Sequence, residues 1–131
     1  MPRFFNTAGP CDPEMHYLLP PERRLPEARG LIDRQSYFVL HAPRQSGKTT
    51  LVRTLAHRLT AEGRYTAVYA TCETAQIAGG DVERGISAVL DSLASQAERL
   101  SPELGPKLLE SFRDTGAATR LGRYLAAWSE R

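Results

Sequence analysis

The sequence predicts an α/β protein in which helices cover a parallel sheet. Two segments carry the strand signal. Residues 36–41 contain a continuously apolar run, which is typical of a buried central strand, and residues 65–72 are rich in Val, Tyr and Thr. A segment with apolar residues at helical spacing lies between them, at residues 51–61. The order of strand, helix, strand and helix predicts a right-handed crossover unit.

The remaining segments are predicted from the proline, glycine and N-cap residues that mark their boundaries. Residues 1–35 are rich in proline at first and predict an irregular N-terminal segment, followed by a short helix at about residues 26–34. Gly79 and Gly80 form a loop before Asp81, a predicted N-cap, and a long amphipathic helix follows to Leu100. A further helix begins near Pro102, and the last one places four apolar residues on one face: Leu121, Tyr124, Leu125 and Trp128.

The eight residues after the first predicted strand match the phosphate-binding pattern G-x-x-x-x-G-K-[ST], except that Ala42 stands at the first glycine position. Gly47 allows the backbone to fold around an anion, and the Lys48 side chain can reach the β- and γ-phosphates of a nucleotide. The Thr49 hydroxyl can bind Mg²⁺ beside them. The predicted nucleotide-binding residues are Ala42, Pro43, Arg44, Gln45, Ser46, Gly47, Lys48, Thr49 and Thr50.

Lysine usage supports a special role for Lys48. The chain has 17 basic residues, and only Lys48 and Lys107 among them are lysines. A chain that otherwise uses arginine therefore has a lysine at the position where a phosphate-binding loop needs one.

Residues 16–50, HYLLPPERRLPEARGLIDRQSYFVLHAPRQSGKTT, resemble the start of AAA-like P-loop ATPases of the bacterial and archaeal ATP-binding type. The resemblance implies a P-loop NTPase-like three-layer α/β fold that binds ATP and Mg²⁺. It also implies that residues 17–24 lie near the adenine. Such ATPases carry a later Walker B strand that ends in Asp-Glu, and this sequence has none. Residues 36–131 are therefore expected to be the N-terminal part of such a domain, an incomplete fold with little or no hydrolysis of its own.

Three functions stay open on the sequence. The first is a nucleotide-binding module without the hydrolytic strand. The second is an active NTPase or small kinase that uses an unconventional carboxylate such as Glu73, which follows the second predicted strand. The third is an interaction fragment that does not bind nucleotide. Asp91 follows an apolar run, but it belongs to a helical repeat and is expected on a helix surface.

Net charge, apolar runs and cysteine content indicate which partners and which compartment to expect. The net charge of +2 does not indicate nucleic acid, and no apolar stretch reaches membrane-spanning length. Cys11 and Cys72 are expected to be free thiols, which predicts a cytoplasmic protein. Because the predicted sheet has few strands, self-association or a protein partner that completes the sheet is expected.

Overall fold

The computed structural model describes residues 2–5, 12, 14–17 and 20–130. The chain divides into two compact units, Met1–Tyr65 and Thr66–Arg131. The candidate loop at residues 42–49 lies in the first unit, and Glu73 lies in the second.

The described residues of the first unit form three helices: α1 (Pro21–Arg24), α2 (Ala28–Asp33) and α3 (Lys48–Ala61). The predicted short helix before the loop corresponds to α2. The predicted helix after the loop corresponds to α3, which buries Leu51 and Leu59. It ends just before Gly63, whose φ of 74° is in the left-handed region that glycine adopts without strain.

Near the N-terminus, Phe4 and His16 form an isolated parallel β-bridge. The Phe4 amide donates to the Met15 carbonyl at 3.0 Å, and the Tyr17 amide donates to the Phe4 carbonyl at 3.1 Å. The rings of Phe4 and His16 meet edge to face with their centroids 4.8 Å apart. This bridge is the β-pairing of the described residues, and it does not extend into a strand.

The two predicted strands are wrong. Residues 36–41 and 65–72 are irregular, and no strand forms anywhere in the described part of the chain. Apolar and β-branched residues favour a strand only where a partner strand and a covering layer exist, and here Tyr37 and Val39 are almost fully exposed. The three-layer α/β fold is therefore wrong as well, and the regular structure of the described residues is helical.

The second unit begins with a 3₁₀ helix (Glu73–Ala78) and continues with α4 (Val82–Leu100). A second 3₁₀ helix (Pro102–Leu104), α5 (Pro106–Glu110) and α6 (Ala117–Ser129) follow. The predicted N-cap of α4 is confirmed, whereas the helix predicted near Pro102 is a short 3₁₀ turn and α5 begins at Pro106. Asp81 is the N-cap of α4, and its carboxylate accepts a hydrogen bond from the Arg84 amide at 3.0 Å.

The core of the second unit lies between α4, α5 and α6. Leu90, Ala94, Leu109 and Tyr124 are buried together. The Tyr124 hydroxyl donates a hydrogen bond to the Leu104 carbonyl, and burial raises the pKa of this tyrosine. Leu125 is 43% exposed, so the buried face of α6 is narrower than the sequence predicts.

A carboxylate from α4 also caps α6. Glu83 Oε1 accepts a hydrogen bond from the Ala117 amide, the first of that helix, at 2.7 Å. Among the helices of the described residues, none combines the length and the apolar character needed to cross a membrane.

Candidate functional site

The candidate site is the loop that leads into α3. Gly47 precedes the first residue of the helix with φ 80° and ψ 21°, a left-handed conformation that favours glycine. Gln45 also has a positive φ, 58°. Ala42 is not among the residues with positive φ, so its Cβ is compatible with the backbone at the position where the pattern usually has glycine. All nine predicted binding residues lie on this one continuous segment.

Lys48 folds back over the start of the loop. Its Nζ donates to the carbonyl oxygens of Ala42 and Pro43, both at 2.6 Å. The side chain thus spans the loop from its last residues to its first. Both acceptors are neutral carbonyl oxygens, so neither of these two bonds pairs the ammonium with a carboxylate.

The start of α3 has no side-chain cap among the described residues. The first amides of any α-helix lack partners inside the helix and carry the positive end of its dipole. At the starts of α4 and α6 a carboxylate accepts a hydrogen bond from one of these amides. At α3 the N-cap is Gly47, which has no side chain to offer.

Ser46, Thr49 and Thr50 supply hydroxyl groups at the same end of α3. Ser46 Oγ is buried without a hydrogen-bond partner in the described structure. The Thr49 side chain is exposed, and Thr50 is half-buried. Arg44, one of the predicted binding residues, is exposed.

Arg24 joins the loop from α1 and lies outside the phosphate-binding pattern, although the resemblance placed residues 17–24 near the adenine. Its Nη2 donates to the Ser46 carbonyl at 2.7 Å. Its Nη1 lies 3.1 Å from the point where a Cβ on Gly47 would sit. These residues are more than twenty positions apart, and no local motif signals their contact.

At the opposite end of α3, a network of charged groups ties that helix to α2. Arg29 donates from Nη1 to Glu62 at 2.7 and 2.8 Å and from Nε to Asp33 at 3.1 and 3.2 Å. The Tyr65 hydroxyl donates to Asp33 at 2.5 Å. This bond, followed by those from Arg29, lowers the pKa of Asp33, and the same bond raises the pKa of Tyr65.

The other candidate residues lie away from the loop in sequence. Glu73 is exposed and begins a 3₁₀ helix of the second unit. Asp91 lies on the exposed face of α4, as predicted. Cys72 is an exposed free thiol, and Cys11 falls outside the described residues. No group of three or more His, Cys, Asp or Glu side chains in the described residues could hold a metal ion by itself.

A family model described as Nephrocystin 3, N-terminal matches residues 27–129. No curated protein and no solved structure is significantly similar to the chain. The matched stretch contains the loop and helices α2 to α6. The resemblance to AAA-like P-loop ATPases is therefore wrong, because the matching family is a different one and the described residues contain no sheet.

Proposed function

This chain belongs to the nephrocystin 3 N-terminal family, and we propose that it binds the phosphate groups of a nucleotide, with Mg²⁺, at residues 42–50. The observation that carries the proposal is the meeting of two positive elements at one loop. The Lys48 ammonium and the uncapped start of α3 lie on the same eight-residue stretch.

The loop chemistry favours phosphate over other anions. A left-handed glycine before a helix turns successive backbone amides toward one side, and such a concave group of amides suits a compact anion with several oxygens. Lys48 adds a flexible point charge that can leave two carbonyl oxygens for a phosphate. The Ser46 hydroxyl, which is buried and has no partner among the described residues, is a further donor on the same loop.

The Mg²⁺ of the proposal would arrive with the nucleotide. Mg²⁺ keeps several waters and uses few protein ligands when phosphates supply the other oxygens. The Thr49 hydroxyl, exposed on the first turn of α3, suits this role without a cluster of acidic residues. The proposal is therefore binding and not hydrolysis, and Glu73 has no part in it.

The proposal is tested by a matched pair of lysine variants. Lys48→Ala is expected to abolish binding of MgATP in calorimetric titration, because the ammonium contacts phosphate and is not part of the core. Lys107→Ala removes the other lysine, exposed on α5, and is expected to bind as the parent does. Equal MgATP affinity in the parent and in Lys48→Ala would overturn the proposal.

The metal role has its own test. Thr49→Ala is expected to weaken mainly the Mg²⁺ dependence of nucleotide affinity, since it removes the hydroxyl proposed as ligand. Thr54→Ala is the control, because the Thr54 hydroxyl lies on the same helix and donates to the Thr50 carbonyl at 2.8 Å. An unchanged Mg²⁺ requirement in Thr49→Ala would contradict the assignment of Thr49.

A further inference from the structure

We propose that Arg24 is a second cationic ligand of the phosphates bound at this loop, and that the site therefore selects nucleotides with two or more phosphates. This inference rests on the proposed function. It adds a residue that lies outside both the phosphate-binding pattern and the stretch matched by the family model.

The position of Arg24 carries the inference. Its guanidinium touches the last residues of the loop, with Nη2 2.7 Å from the Ser46 carbonyl and Nη1 3.1 Å from the site of a Cβ on Gly47. Lys48 holds the first residues of the same loop, at the Ala42 and Pro43 carbonyls. The two cations thus flank the loop at its two ends.

Both cations are bound to neutral oxygens. The ion pairs of Arg29 and Arg64, by contrast, use the carboxylates of Asp33 and Glu62 at the other end of α3. A guanidinium that holds a neutral carbonyl gains from exchanging it for a phosphate, since the phosphate adds an opposite charge and can accept two parallel N–H bonds from the arginine fork. The bond that Arg24 would give up in this exchange is the one to the neutral Ser46 carbonyl.

Charge complementarity defines the ligand. Lys48 and Arg24 supply two positive charges, and the start of α3 adds about half a charge more. A nucleoside monophosphate carries less negative charge than a di- or triphosphate. Its single phosphate group would have to serve two cations that lie at opposite ends of the loop. A di- or triphosphate offers separate oxygens to each cation, and the planar fork of arginine suits bidentate contact with one of its phosphates.

The test compares two adjacent arginines of α1. Arg24→Gln keeps an amide that can donate to the Ser46 carbonyl but removes the charge, and it is expected to weaken MgATP and tripolyphosphate binding roughly tenfold. Arg23→Gln, an exposed neighbour in the same helix, is expected to bind as the parent does. Equal affinity of the two variants would overturn the inference, while loss of binding in Lys48→Ala would show that the proposed function still stands.

The salt dependence of nucleotide affinity distinguishes a direct contact of Arg24 with phosphate from a role of Arg24 in stabilising the loop. A direct cation–phosphate contact is screened by salt, so the parent is expected to lose more affinity between low and high salt than Arg24→Gln does. The same salt dependence in both proteins would mean that Arg24 only supports the loop, which would overturn the inference.

If Arg24→Gln does not melt cooperatively, Arg24→Lys replaces it. That variant keeps the charge and is expected to bind within a few-fold of the parent, and loss as complete as in Lys48→Ala would overturn the inference.

Discussion

At the scale of single residues, Gly47 combines two requirements. Its φ of 80° places it in the left-handed region, and Nη1 of Arg24 lies 3.1 Å from the point where a Cβ would sit. An alanine there would be strained by its backbone, and Nη1 of Arg24, the end of a flexible side chain, would have to move by a few tenths of an ångström. Both the conformation of the loop and the position of Arg24 therefore favour a residue without a Cβ at position 47.

Gly47→Ala is expected to destabilise the protein by about 1–2 kcal/mol through backbone strain and also to abolish nucleotide binding. Gly63→Ala is the matched control, because Gly63 has a similar φ of 74° but nothing within 4 Å of its Cβ site. It is expected to lose comparable stability and to bind nucleotide normally. Chemical denaturation and MgATP titration of both variants check this, and normal binding by Gly47→Ala would contradict the account of the loop.

At the scale of elements, α2 is joined to the end of α3 by hydrogen-bonded charges. Arg29 contacts Asp33 on its own helix and Glu62 just after α3, and Tyr65 contacts Asp33. These groups are exposed enough to titrate in solvent. The lowered pKa of Asp33 means that its ionised form is favoured in the folded state, so its contribution to stability is lost as the pH falls.

Tyr65→Phe is expected to raise the pKa of Asp33 toward its ordinary value of 3.8, because the largest cause of the lowering is the Tyr65 hydroxyl. The stabilising contribution of Asp33 is complete above pH 3.8 and disappears as the pH falls through the lower folded-state pKa. Tyr65→Phe is thus expected to be less stable than the parent at neutral pH, with the difference shrinking in acid. A carboxyl NMR titration measures the pKa, and Tyr37→Phe, at an exposed tyrosine, is the control. An unchanged Asp33 pKa in Tyr65→Phe would rule out the hydroxyl as its cause.

The main helices could be predicted from sequence, whereas the two predicted strands are wrong. The start of α4 depends on Asp81 and on nearby apolar spacing, which are local properties. The run at residues 37–40 predicts a strand only if another segment pairs with it, and local sequence does not contain that information. The candidate loop is a local sequence pattern whose binding role stays a prediction, whereas the Arg24 contact with Ser46 joins residues 22 positions apart and has no local signature.

At the scale of the whole molecule, each unit is held by different interactions. The second unit has an apolar core around Leu90 and Tyr124. The first unit buries Ala28, Leu51 and Leu59 and carries the charged network of Arg29. Tyr37 and Val39 of the first unit are exposed apolar residues, and self-association through this segment stays a prediction.

Leu90→Ala is expected to destabilise the second unit by about 2–5 kcal/mol, because Leu90 is completely buried and the substitution leaves a cavity. Leu100→Ala makes the same chemical change at the end of the same helix, where the side chain is 45% exposed. That control is expected to cost about 1 kcal/mol or less. Helical circular dichroism during denaturation measures both, and equal losses would contradict the core described between α4, α5 and α6.

The central claim, phosphate binding at the start of α3, is tested most directly by an amide NMR titration of the full chain with MgATP. If the claim is correct, the largest and saturable shifts fall on the backbone amides of residues 44–50, and inorganic tripolyphosphate reproduces them. Shifts confined to the second unit, or no saturable shifts at the loop, would contradict it.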